Sequence, residues 1–197
     1  MDLIPKIIII AERDCCESTA LWLTQIQKIA QCLDQFPSVM LQIRAKTKPS
    51  LRWMALEQLP VHPQIYINGS ATEFCRADFT IIHLPQREAP KKALSFPFGL
   101  SIHQPSDPLR YDELKPRYYQ LGPIFTPLSK PGVGQGCDLI RATSLQTKTP
   151  IIAVGGITPK NIPNVLRAGA LGVASSGYVM RHPDPIYAVT SMLEAMQ

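Results

Sequence analysis

The segment from Ile151 to Gly177, IIAVGGITPKNIPNVLRAGALGVASSG, decides how this chain folds. It opens on an apolar run, breaks at Gly155 and Gly156, passes through a stretch with helical spacing, and closes on a second apolar run that stops at Ser175 and Ser176. A strand, a glycine turn, a helix and a second strand form a βαβ unit, whose two strands run parallel. Without a Cβ, Gly155 and Gly156 let the backbone approach another group closely, and amides presented at such a turn suit a phosphate. The plainer alternative is a strand-to-helix turn with Thr158 as N-cap and Pro159 at the first helical position. Pro163 predicts that this helix begins late or bends.

Six further runs extend the unit outward into a repeating pattern. Short β-rich runs occur at 6–13, 38–46, 64–69, 79–85, 98–103, 118–125, 150–157 and 171–177. Several are apolar with little alternation, as expected of parallel strands covered on both faces. Between the first two lies STALWLTQIQKIAQCLDQF, an amphipathic helix with Ser18 placed as N-cap. Helices are expected near 137–147, 159–169 and 184–196. Those after strands two to four are short or missing, because ATEFCRAD is barely two turns and REAPKKALSFP carries prolines at both ends. Eight strands alternating with helices predict an α/β chain folded as a (β/α)₈ TIM barrel, with an open doubly wound sheet as the alternative.

Composition agrees with one domain over residues 1–197: 45% of residues are apolar and 18% charged, enough to bury a substantial core. No uninterrupted apolar run reaches membrane-spanning length, and no small-residue cleavage site follows MDLIPKIIII, so a soluble, cytoplasmic protein with no membrane partner is expected. The five cysteines show neither metal-ligand spacing nor a disulfide framework. The net charge of +5 is scattered, without a basic helix or interleaved aromatics, which argues against nucleic acid and agrees with a phosphorylated substrate.

In such a barrel the reactive groups sit where the strands end. Polar residues cluster there: Gln42, Arg44 and Lys46; Asn68; His83 and Gln86; Ser101 and His103; Thr126, Ser129 and Lys130; Gly155 and Gly156; Ser175 and Ser176. Residues two apart on a strand share a face, so Gln42, Arg44 and Lys46 are expected to point together into the barrel mouth. His83, inside IIHLP, is expected to be structural.

The pieces AVGGITPKNIPNVLRAGALGVA and YYQLGPIFTPLSKPG, with LQIRAK, IYING, IIHLPQ and GLSIH in the same order, resemble the thiamine phosphate synthase and TenI family over residues 38 to 180. The resemblance implies thiamine biosynthesis. In a synthase, a pyrimidine pyrophosphate is joined to a thiazole phosphate with Mg²⁺. Gln42, Arg44, Lys46, Asn68 and Lys130 would hold the pyrimidine and pyrophosphate. Ser101 and the Gly155-Gly156 loop would place the substrates, with Thr126, Ser129, Ser175 and Ser176 at the phosphate. Fixed cations there would stabilise the departing pyrophosphate. Family members also suggest a homo-oligomer.

Several positions depart from the synthase pattern. Gly69 stands where a magnesium Asp is expected, leaving Glu88 as a candidate metal ligand. TPLSK interchanges the order expected after strand six, and Gly177 replaces a Ser. Asn68-Gly69 and Leu84-Pro85 resemble the TenI branch instead. Its thiazole tautomerase reaction aromatises a carboxythiazole phosphate by proton transfer, without metal or other cofactor, and would use His103. The expectation leans to that reaction, with the synthase and a non-catalytic phosphometabolite-binding barrel as alternatives.

Overall fold

The computed structural model describes residues 4–74, 79–126 and 133–197. Eight parallel strands form one sheet: β1 (Ile7–Glu12), β2 (Val39–Arg44), β3 (Ile65–Ile67), β4 (Ile82–Leu84), β5 (Phe98–Ile102), β6 (Tyr118–Leu121), β7 (Ile151–Val154) and β8 (Gly172–Ser175). Each lies inside the run expected for it. The order β3-β2-β1-β8-β7-β6-β5-β4 curls the sheet until β3 faces β4. There a parallel bridge between Asn68 and His83 joins the ends, supported by Gly69 N–H donating to His83 O at 2.9 Å. The chain is therefore a nearly closed (β/α)₈ barrel rather than an open doubly wound sheet.

The helices are α1 (Thr19–Ala30), α2 (Leu51–Leu56), α3 (Ala71–Phe74), α4 (Pro108–Tyr111), α5 (Asp138–Ser144), α6 (Ile162–Arg167), α7 (Gly177–Met180) and α8 (Pro185–Glu194). Ser18 caps α1, its Oγ accepting from Leu21 N–H at 3.0 Å. Asp184 caps α8 through Ile186 and Tyr187 N–H. As expected, the helices after β2 and β3 are short, and β4 is followed by a single 3₁₀ turn, Gln86–Glu88. The segment 159–169 needs a correction. Thr158 is not the cap of α6: Asn161 precedes that helix and its Oδ1 accepts from Thr158 N–H at 3.0 Å. Pro163 is tolerated because it falls in the first turn, where no backbone donor is needed. No helix among the described residues is long and apolar enough to cross a membrane.

Strand alternation divides the apolar residues between two cores. One lies between sheet and helices and includes Ile7, Ile9, Leu41 and Val173. It also holds the buried Trp22 ring, whose Nε1 donates to Ala11 O at 3.0 Å. The other fills the barrel with Ile8, Ile10, Met40, Tyr66, Ile81, Tyr118, Ile152 and Ala174. Tyr118 fits because its neighbour across β5 is Gly99. A Cβ there would lie 2.2 Å from Tyr118 Cζ and 2.5 Å from its Oη.

That ring is fully buried and tied at its hydroxyl, so it cannot swing aside. Gly99→Ala is expected to cost about 1–3 kcal/mol, the usual range for overpacking, measured by equilibrium denaturation.

Candidate active-site cavity

The C-terminal ends of the strands enclose a cavity of about 230 Å³. Arg44, Asn68, Ser101, Gly155, Gly156, Ser175 and Ser176 all line it, although they span more than a hundred residues of sequence. Alternation delivers most of them. The last inward-facing position of each strand opens on the barrel mouth, and the position before it belongs to the packed interior.

Gln42 belongs to that interior. It is fully buried, its Nε2 donating to Tyr66 Oη at 3.0 Å and its Oε1 accepting from Asn68 Nδ2 at 3.1 Å. Lys46 is not brought in. β2 stops at Arg44, so alternation no longer governs Lys46, whose side chain is exposed while its backbone N–H donates to Glu12 Oε1 at 3.2 Å. His103 is likewise outside the lining. β5 ends one residue earlier, and the His103 ring turns to Gly122 O, 2.6 Å from Nδ1. Thr126 is exposed and outside the lining. Ser129 and Lys130 lie outside the described residues.

Gly155 and Gly156 have φ of +100° and +60°, which only glycine adopts without strain. They also make room for protein. A Cβ on Gly155 would lie 2.7 Å from Pro123 Cα, and one on Gly156 2.5 Å from Thr126 O. The pair thus admits the β6 loop against the β7 loop while leaving bare backbone at the rim. Ser175 Oγ donates to Ile157 O at 3.2 Å, and Ser176 Oγ lies 3.2 Å from the Cys15 thiol. Beside it, burial raises the Cys16 thiol to about 11.

Among the lining residues that the sequence did not single out, two are buried and polar. Glu12, the last residue of β1, is 4% exposed and forms an ion pair with Arg44. Burial lowers the Arg44 pKa from its ordinary value, with Arg87 and Arg52 pushing the same way. Gln120 on β6 is 3% exposed and its Nε2 is without a hydrogen-bond partner among the described residues. Both had a signal: Glu12 ends an apolar run, and Gln120 is the polar residue inside YYQLGPIF.

The donors present do not fit a protein-built Mg²⁺ site. Gly69 brings no side-chain oxygen, and the space beside it is filled: a Cβ there would lie 2.4 Å from Glu73 Oε2. That carboxylate is held by Arg52 Nη2 at 2.6 Å and Ser70 N–H at 2.8 Å. Glu88 lies outside the cavity lining, 3.6 Å from Arg87, with its side chain 41% exposed. Among the described residues no group of three His, Cys, Asp or Glu side chains is placed to hold a metal.

Comparison with known proteins gives a consistent neighbourhood. The family profile described as thiamine monophosphate synthase matches residues 9–179. A thiamine-phosphate synthase of Methanocella arvoryzae is 36% identical over 101 residues, covering 50% of this chain and 46% of that protein. One of Koribacter versatilis is 32% identical over 124 residues, covering 59% of each. These matches span about half the length of those relatives. Among solved structures, thiamine phosphate pyrophosphorylase from Pyrococcus furiosus superposes with a TM-score of 0.75 at 17% identity, covering 99% of this chain and 96% of its own, a likeness of fold.

With Glu12 beside it, the Arg44 charge is neutralised before any anion arrives. Glu12→Gln keeps an acceptor for the Lys46 and Asp14 amides but frees the guanidinium. It is expected to tighten pyrophosphate binding about tenfold, about 1.4 kcal/mol, in isothermal titration, while lowering the melting temperature.

Proposed function

The chain belongs to the thiamine monophosphate synthase family, and from that premise we propose that it serves thiamine biosynthesis by binding a singly phosphorylated thiazole in this cavity and interconverting its tautomers. The observation that carries the reading is the Glu12–Arg44 ion pair inside the cavity. A departing pyrophosphate develops charge that free cations must meet, and here the guanidinium is already matched by a carboxylate. The donors around Gly69 and Glu88 support the same preference, because a pyrophosphate-releasing reaction that relies on a divalent ion needs oxygens these positions do not supply.

A single phosphate asks for less. The bare backbone at Gly155 and Gly156, with Ser175 and Ser176 across the rim, would receive it. The thiazole ring would then lie toward Asn68 and Ser101. Proton transfer needs a group of suitable acidity within reach of the ring. His103 lies outside the lining, so this reading rests on the groups that face the cavity.

The synthase is the second reading, favoured by the thiamine-phosphate synthases of Methanocella arvoryzae and Koribacter versatilis, to which the chain is 36% and 32% identical. One experiment separates the two. Purified protein is given carboxythiazole phosphate alone, and separately pyrimidine pyrophosphate with thiazole phosphate and Mg²⁺. Tautomer conversion followed by NMR, without thiamine phosphate in the second reaction, supports the proposal. Thiamine phosphate formed in the second reaction and abolished by chelation replaces it with the synthase. Neither product, with thiazole phosphate still bound, leaves a binding barrel.

Two variants sharpen this. His103→Ala is expected to leave tautomer conversion unchanged. Gly69→Asp alone is expected to lower the melting temperature and create no metal-dependent activity, because its side chain meets the Glu73 carboxylate.

A further inference from the structure

A file of polar side chains crosses the barrel beneath the cavity, and the proposed chemistry leaves its middle members unused. Asn68 Nδ2 donates to Gln42 Oε1 at 3.1 Å, and Gln42 Nε2 donates to Tyr66 Oη at 3.0 Å. Tyr66 Oη lies 2.9 Å from Tyr118 Oη, Tyr118 Oη 3.3 Å from His83 Nδ1, and His83 Nε2 2.8 Å from Ser101 Oγ. Gln42, Tyr66, Tyr118 and His83 are fully buried, whereas Asn68 and Ser101 both line the cavity. Five strands, β2 to β6, contribute.

Counting hydrogens orients the whole file. An amide nitrogen only donates, so Tyr66 Oη accepts from Gln42. The Tyr66 proton then goes to Tyr118, since a buried hydroxyl left without an acceptor is costly. Tyr118, having accepted, passes its own proton toward His83 Nδ1, which must therefore be bare. Burial, with Arg44 adding, lowers the His83 pKa to about 3, so the ring is neutral and carries one proton. That proton sits on Nε2 and is donated to Ser101 Oγ. Ser101 has now received a hydrogen bond from below, and its own O–H is left to donate upward.

The geometry points to His83 as a positioning residue, locked by Tyr118 as the Nε2–H tautomer so that Ser101 presents a hydrogen-bond donor to the cavity. The substrate atom seated at Ser101 is then an acceptor, such as the unprotonated nitrogen of an azole ring. At the far end, Asn68 has spent one amide hydrogen on Gln42 and keeps Oδ1 as an acceptor. The two ends are coupled: reversing the amide of Gln42 would reverse every member and turn the Ser101 proton inward. The inference rests on the proposed function only in taking this cavity as the substrate site.

The test begins without a ligand. In protein labelled with ¹⁵N at histidine, the ¹⁵N–¹H correlations of the ring distinguish the two neutral tautomers, and the four histidines are assigned by single substitutions. His83 is expected as Nε2–H at pH 7; an Nδ1–H ring in the unmodified protein overturns the proposal. Tyr118→Phe, which keeps the ring against Gly99 and removes only the hydroxyl, is expected to move the His83 Nδ1 resonance downfield, to that of a bare nitrogen that accepts no hydrogen bond, while Nε2–H still donates to Ser101. An Nδ1 resonance unchanged in a folded Tyr118→Phe protein also overturns it.

Binding supplies the second arm, with thiazole phosphate as probe. Ser101→Ala and Tyr118→Phe are each expected to weaken it about fivefold, the magnitude of one net hydrogen bond. The double variant is expected to be no weaker than Ser101→Ala, because the two act on one donor. Additive losses would mean that Tyr118 acts through packing, and would overturn the proposal. Should thiazole phosphate not bind at all, the proposed function fails while the tautomer measurement still decides this inference.

Discussion

A barrel whose ends meet through the Asn68–His83 bridge depends on side chains to hold that seam. β3 and β4 are three residues each, so backbone pairing there is brief. Across it the Tyr66–Tyr118 hydroxyl contact joins the Gln42–Tyr66 pair on one side to the Tyr118–His83 pair on the other. Buried polar groups are costly alone and cohesive together. The interior tolerates two tyrosines, a glutamine and a histidine because each finds a partner, and Gly99 supplies the volume one of those rings needs. The same file ends on Asn68 and Ser101, so what closes the barrel also orients groups that face the cavity.

Charge around the mouth follows a related rule. Arg44 meets Glu12, and Arg52 meets Glu73. These pairs are partly or largely buried, where leaving either partner alone would be expensive. Each carboxylate is thereby committed to a cation: Glu12 to Arg44, which faces the cavity, and Glu73 to Arg52, which does not line it. The space beside Gly69 illustrates it, since an oxygen is present but belongs to an ion pair.

Much of the fold was legible because its signals are local. Apolar runs bounded by glycine and proline set all eight strands, and Ser18 ahead of an amphipathic stretch set the start of α1. Prolines near 85, 90 and 97 marked the connection that holds only a 3₁₀ turn. The site was legible as far as alternation reached. Arg44, Asn68 and Ser101 arrived where strand geometry sends them. Lys46 and His103 did not, because sheet pairing stops short of them and loop geometry is not periodic, whereas Asn68, one residue past β3, is still bridged to His83. Glu12 and Gln120 carried a signal in their position, but the partnership of Glu12 with Arg44 joins residues 32 apart, and no periodicity reports such a contact. Thr158 shows the remaining failure: a good capping residue lost to Asn161 because the chain turned once more before its helix began.

The contact between the β6 and β7 loops at Gly155 and Gly156 also bears on how such a protein diversifies. Neither glycine has room for even a methyl group against Pro123 and Thr126, so the two loops can be altered only in concert. Selection for a new ligand therefore meets resistance along that edge and finds freedom deeper down, where a single exchange at Gln120, whose Nε2 has no partner among the described residues, reshapes the floor and leaves the rim intact. Divergence among relatives of this chain should accumulate from the bottom of the cup upward.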